Sequence, residues 1–140
     1  MENYSKIIQD VNSLIAEGET EYSSGEKKAV VDRNFEITHR EIMIRYIRAK
    51  ASNDVKAHLL ATVRLDCGLY IGTLEETSKA TGITKRTVGS SFRVLQDGDF
   101  IRFYRNGIWA VNPKLLRKGT GGKYIGQIRF YYSIPQKFEE

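Results

Sequence analysis

At 140 residues, with 41% hydrophobic and 28% charged side chains and one cysteine, the chain suits a single globular domain with its own core and excludes an internal disulfide framework. No apolar run reaches the roughly 20 residues that cross a bilayer, and the start MENYSKIIQD lacks a basic-then-apolar secretory pattern, so a cytoplasmic protein with no membrane partner is expected. The net charge of +5 is unevenly spread: residues 73–124 hold 10 Lys/Arg against 4 Asp/Glu, residues 1–72 hold 10 against 11, and residues 125–140 hold two of each.

A basic module beside a near-neutral support suits phosphate binding, because released counterions drive the non-specific part of the affinity. In chain order, Tyr4, Ile7, Ile8, Val11, Leu14 and Ile15 recur at helical spacing, so a helix over Glu2–Ala16 is expected, stopping at Gly18. Ser23-Ser24-Gly25 is a turn signal, and its flanks Glu19–Tyr22 and Lys28–Val31 read as a hairpin or equally as loop. Thr38-His39-Arg40-Glu41 has the pattern of a capping box ahead of Ile42, Met43, Tyr46 and Ile47, which share a helical face to about Ala49. A further helix is expected from Asn53 or Asp54 to near Gly68, burying Val55, Leu59, Leu60 and Val63.

Leu69-Tyr70-Ile71 reads as a short strand. Thr73-Leu74-Glu75-Glu76 is a second capping box, opening a helix to about Thr81, and Gly82 accepts the positive φ of a sharp turn. Thr84 caps the next helix, Lys85–Asp97, whose Val88, Phe92 and Leu95 form a core face. Two helices joined by a glycine turn make a helix-turn-helix, with the second as reader in a DNA major groove. Its free face presents Lys85, Arg86, Gly89, Ser90 and Arg93. Small residues at 89 and 90 allow close approach to base edges, and the three cations suit phosphate or guanine acceptors. Thr73, Thr84 and Thr87 suit phosphate contacts near helix starts. After Asp97-Gly98-Asp99 the period changes. Phe100–Tyr104 and Ile108–Asn112 read as a hairpin closed at Arg105-Asn106-Gly107, since Asn and Gly both tolerate positive φ. This is the position of a wing, with Arg102 on its first strand and Arg105 and Asn106 at its tip.

These signals predict an α+β, mainly α fold: a winged helix-turn-helix with an extra N-terminal helix and hairpin. One domain over 1–140 is expected, divided into an extension over 1–36, a winged-helix core over 37–119 and a C-terminal strand or tail over 120–140.

The run from Thr73 to Gly82, Thr87-Val88, and Val94-Leu95-Gln96-Asp97-Gly98 resemble the RepL family of plasmid replication proteins, as does the stretch Gly107 to Gly119. Asn112-Pro113 followed by Leu115-Leu116 and a basic-glycine ending is the more distinctive part. The similarity covers about residues 70–119 and extends more weakly over Ser24–Gly68. The resemblance implies a Firmicute-type plasmid or mobile-element protein that begins replication, and so bears on copy control, by binding double-stranded origin DNA. It carries over no catalytic residue.

Catalytic nicking would need clustered metal ligands and a nucleophilic tyrosine. His39 and His58 are far apart in sequence, each within a helical pattern, so neither a metal nor an enzyme is expected. No phosphate-binding glycine loop is present, and no cofactor is expected. Gly119–Gly122 reads as a flexible exit. Cys67, taken as helical, reads as a small apolar residue. Trp109 reads as core packing in preference to base stacking, with Ile108, Ala110 and Asn112 on one strand face and Trp109 and Val111 on the other. The aromatic stretch Lys123–Tyr132 alternates partly like a strand that some partner must cover. A homodimer built on the N-terminal helix and this strand is therefore expected, matching half-sites one helical turn apart. The leading function is origin binding without catalysis, with recruitment of host replication proteins. The alternatives are a transcriptional regulator of a plasmid or mobile element and a protein-interaction module.

Overall fold

A computed structural model describes residues 2–23, 39–116 and 122–136. It is α+β and mainly helical. Helix α1 spans Glu2–Ser23, α2 covers 39–48, and α3 spans Asn53–Thr62. Strand β1 (Leu69–Ile71) leads to α4 (Leu74–Thr81) and α5 (Lys85–Asp97). Then come β2 (Ile101–Arg105), β3 (Ile108–Val111), the single turn α6 (Pro113–Leu116) and α7 (Gly122–Tyr132). The antiparallel sheet has the order β1-β3-β2, with Leu69 opposite Ala110 and Phe103 opposite Trp109.

Strand alternation explains why this small sheet sits in the middle of the molecule. Tyr70, Ile101 and Val111 project into a core with Ile42, Tyr46, Val55, Leu59, Val88, Phe92 and Leu95 from α2, α3 and α5. Leu69, Ile108 and Ala110 project the other way, against Val11 and Ile15 of α1 and Phe130 and Tyr131 of α7. Both strand faces are therefore buried, and the Ile108/Trp109 alternation does not divide inside from outside. Trp109 itself is half-buried against the first core.

Four expectations are corrected. Helix α1 does not stop at Gly18 but continues to Ser23, so Glu19–Tyr22 is helix and not a hairpin strand. A mid-helix glycine costs about 1 kcal/mol, but here it sits at a helix crossing. A Cβ on Gly18 would lie 3.0 Å from the Gly126 Cα, and one on Gly126 would overlap the Ile15 carbonyl. The same crossing explains the second correction: Lys123–Tyr132 lies within helix α7 and is not a strand. Its Gly126 faces α1, while Tyr124, Gln127, Phe130 and Tyr131 are buried at helical spacing. The terminal helices thus cover one another along one face each within the chain, while Leu14 of α1 and Tyr132 of α7 stay exposed (48% and 42%).

Third, α3 starts at Asn53 as expected, but its cap is Ser52, whose side chain accepts from the Val55 amide at 3.3 Å, and it ends at Thr62, well before Gly68. The chain then turns through residues 64–68: Arg64 bridges Leu69, the Gly68 amide donates to the Arg64 carbonyl at 2.6 Å, and Gly68 takes φ +73°. Cys67 is buried in that turn and not in a helix. Fourth, Asn112 does not extend β3. It is buried, its amide Nδ2 donates to the Asp99 carbonyl at 3.0 Å, and its Oδ1 accepts from the Lys114 amide at 3.0 Å. That side chain caps α6, with Pro113 at the first helical position, where a missing N–H costs nothing. The hairpin segment Lys28–Val31 and the Thr38 cap lie outside the described residues.

A buried lysine ties α2 to α3. Lys56, 5% exposed, reaches the end of α2, where its Nζ donates to the carbonyls of Tyr46 (3.2 Å), Ile47 (2.8 Å) and Ala49 (2.8 Å). The ammonium satisfies carbonyls that a helix end leaves unpaired and lies at the negative pole of the helix dipole.

Candidate nucleic-acid interface

The α4–α5 unit is built by local chemistry. Thr73 accepts from the Glu76 amide at 3.1 Å, and Glu76 Oε1 accepts from the Thr73 amide at 2.9 Å, so the capping box closes in both directions. Gly82 ends α4 in the left-handed region at φ +76°. Ser78 donates to the Ile83 carbonyl at 2.6 Å, fixing the turn. Thr84 then caps α5, accepting from the Thr87 amide at 3.3 Å.

Helix α5 is held from behind. Val88, Ser91, Phe92 and Leu95 are buried, and Ser91 Oγ accepts from the Ser52 amide at 3.0 Å, which docks α5 on the start of α3. The opposite side exposes Lys85, Arg86, Thr87, Ser90 and Arg93, with Gly89 half-buried. Within the described residues no ion pair or hydrogen bond engages the side chains of Lys85, Arg86 or Arg93. Ser90 Oγ turns back to the Thr87 carbonyl at 3.1 Å, and a Cβ on Gly89 would meet only Leu74, at 3.6 Å. Thr73 is half-buried and Thr84 exposed, but the hydroxyls of both are engaged in capping.

The β2–β3 hairpin places Arg105 and Asn106 in the open, with the Arg105 guanidinium 4.6 Å over the Tyr104 ring. Only Gly107 takes positive φ in the turn, at +79°; Asn106 does not, and the strand register shifts between Phe103 and Arg105.

Arg102 is the site residue that the structure removes from this surface. Alternation turns Phe103 toward Trp109 and α5, and Arg102 toward α7. Arg102 is 7% exposed and forks onto Asp99, with Nε to Oδ1 at 2.8 Å and Nη2 to Oδ2 at 3.0 Å. Its Nη1 donates to the Ile134 carbonyl at 2.6 Å. The guanidinium lies against both the Tyr131 and Tyr132 rings, 4.6 and 4.7 Å from their centroids. Burial works against its charge, but hydrogen bonding to Asp99 and the charge there outweigh it and hold its pKa above the ordinary value. Asp99 adopts φ +61° and also accepts from the Tyr131 hydroxyl at 2.8 Å. This network pins the root of the hairpin to α7.

An open cleft of about 890 Å³ lies between α5 and the hairpin. Lys85, Arg86 and Arg93 contribute cations to its lining, and Phe92, Phe103 and Trp109 contribute aromatic surface. The Trp109 ring stands edge-on to Phe92 at 5.1 Å and to Phe103 at 5.3 Å. Sequence reasoning missed Phe103 and Gln96 here. The signal that finds Phe103 is the period of two along β2, which excludes Arg102 in the same step. His39 contacts the Lys114 carbonyl and His58 packs edge-on against Tyr70. Among the described residues no group of three or more His, Cys, Asp or Glu gathers to hold a metal, and no helix is long and apolar enough to cross a membrane.

The family model described as "Firmicute plasmid replication protein (RepL)" matches residues 55–136, which hold all but the first two residues of α3, the elements through α7 and the whole cleft. A "Replication and maintenance protein" of Bacillus subtilis is 33% identical over 66 residues, covering 47% of this chain and 44% of the relative. Proteins of the same description from Staphylococcus aureus and Staphylococcus epidermidis are 33% identical over 66 residues, with 41% and 40% of their lengths covered. The matched stretch is thus less than half the length of these curated relatives. No solved structure matches. With more than half of the chain, cleft and hairpin included, matched by one family model, the chain belongs to the RepL family of Firmicute plasmid replication proteins.

Proposed function

We propose that the protein is a winged helix-turn-helix that binds double-stranded DNA sequence-specifically in the initiation of plasmid replication, without catalysis. The observation that carries this is the cationic face of α5, where Lys85, Arg86 and Arg93 stand exposed, without an ion pair among the described residues, next to a hairpin tipped by Arg105 and Asn106. Three cations on a rigid, well-capped helix have a cost in mutual repulsion that an anionic partner removes. In this arrangement the start of α5 enters the major groove, and the hairpin tip follows the adjacent minor groove or phosphate track. The names of the family and of its relatives point to replication, and hence to an origin as the target and to host replication proteins as later partners. A cytoplasmic home goes with that role.

A twofold dimer remains part of this proposal, because paired half-sites match paired reading helices. Exposed apolar side chains that support it are Leu14 on α1 (48%) and Ile44 and Ile47 on α2 (46% and 66%). A compact monomer at micromolar concentration in sedimentation would remove the dimer and leave DNA binding standing.

The direct test selects bound fragments from a random DNA pool and footprints the best of them. Arg86→Ala should weaken specific binding more than non-specific binding, whereas Arg105→Ala should weaken both and flatten the salt dependence. Wild-type affinity in both variants would remove the assigned surface. A preferred site inside an origin supports initiation; one over a promoter would make the protein a regulator.

A further inference from the structure

We propose that the cleft between α5 and the hairpin holds an unpaired DNA base, so that the protein binds single-stranded DNA as well as duplex; this rests on the DNA-binding function proposed above. An intact duplex gives such a cleft little to hold. Its phosphates present no apolar surface, and the faces of its bases are covered by stacking. Yet Phe103 and Trp109, both half-buried, contribute aromatic surface to the cleft with Phe92 backing them from the core, and the cations at Lys85, Arg86 and Arg93 line the same space. Aromatic surface beside free cations is the chemistry of a site that stacks bases and tracks their backbone.

The aromatic groups are held rigidly, as stacking requires. Trp109 lies on β3, the central strand, paired with Tyr70 on one side and Phe103 on the other. Phe92 is 2% exposed and fixed in the core. The amides of Gln96 and Asn106 join the same lining and suit the hydrogen-bonding edge of a base. At about 890 Å³ the cleft falls within the range of pockets that bury small molecules, about 300–1,000 Å³.

Trp109 is the only tryptophan, so its emission reports on the cleft alone. The full chain is titrated with a short oligothymidylate and, in parallel, with a blunt duplex. The oligothymidylate should bind and quench Trp109, and the duplex should bind with little quenching. Phe103→Leu keeps apolar bulk but removes the stacking face. It should lower oligothymidylate affinity about ten-fold and by clearly more than it lowers duplex affinity, with an unaltered far-ultraviolet circular dichroism spectrum and thermal melt to show that the variant folds. Duplex binding without oligothymidylate binding, an unquenched Trp109 on saturation, or equal loss of both affinities in Phe103→Leu would overturn the proposal. Failure of the wild type to bind either nucleic acid would instead overturn the DNA-binding function itself, and this proposal with it.

Discussion

Replacing Arg102 by methionine separates a structural arginine from one proposed to contact DNA. The change keeps chain length but removes two charged hydrogen bonds to Asp99 and one to the Ile134 carbonyl. Breaking a buried ion pair costs about 3–5 kcal/mol. The lower end applies here, because the Asp99 side chain is 27% exposed and keeps its bond from Tyr131. A loss of about 3 kcal/mol is therefore expected. Unfolding entropy of about 2.1 cal/mol/K per residue gives roughly 0.3 kcal/mol/K for a chain of this size, so the midpoint should fall by about 10 °C. The assay is a thermal melt of Arg102→Met and Arg105→Met, with DNA affinity measured across a range of salt. A phosphate contact contributes about 0.9 to the slope of log K against log salt. Arg105→Met should lose that slope and melt like the wild type, and Arg102→Met should do the reverse. If Arg102→Met melts normally and loses salt slope, the buried network is wrong and Arg102 faces DNA.

Three further outcomes are expected. Gly126→Ala places a Cβ against the Ile15 backbone and should cost about 3 kcal/mol in urea unfolding, the upper end for overpacking; Gly82→Ala, with open space but φ +76°, should cost only about 1 kcal/mol, and equal losses would mean that α1 and α7 do not cross there. Lys56→Met strips three carbonyls at the end of α2 of their charged donor and should destabilise the protein by about 3 kcal/mol; an unchanged urea midpoint would place the ammonium in solvent. Burial raises the phenols of Tyr46, Tyr124 and Tyr131 above the ordinary 10.0, so the folded state keeps protons that the unfolded chain releases. Stability from these groups is complete below pH 10 and falls as the pH rises beyond it, by about 1.4 kcal/mol per pH unit for each tyrosine. Urea midpoints that stay level through that range, or phenolate absorbance that rises before unfolding, would contradict their burial.

The α4–α5 unit was legible because its determinants are local. The Thr73–Glu76 box, the left-handed Gly82, the Thr84 cap and the Val88/Phe92/Leu95 face each involve residues at most seven apart. The hairpin was legible at Asn106-Gly107, although only the glycine uses positive φ. Capping, backbone sterics and helical periodicity act over one or two turns, so the order of residues carries them. The exposed set Lys85, Arg86, Ser90 and Arg93 follows directly from which face of α5 is apolar.

What only the tertiary structure decided depends on partners far away in the chain. Gly18 reads as a stop until Gly126 is laid against it, and Lys123–Tyr132 reads as a strand until α1 gives its helical face something to bury. Arg102 carries the same charge as Arg105, three residues away, yet one is locked onto Asp99 and α7 while the other points into solvent. Sequence order set the local helices, turns and their caps, because those energies come from neighbours along the backbone. Which side of the sheet each residue faces, and whether a charge is sequestered or offered to a ligand, depends on desolvation by distant groups, and that was decided only when the layers closed.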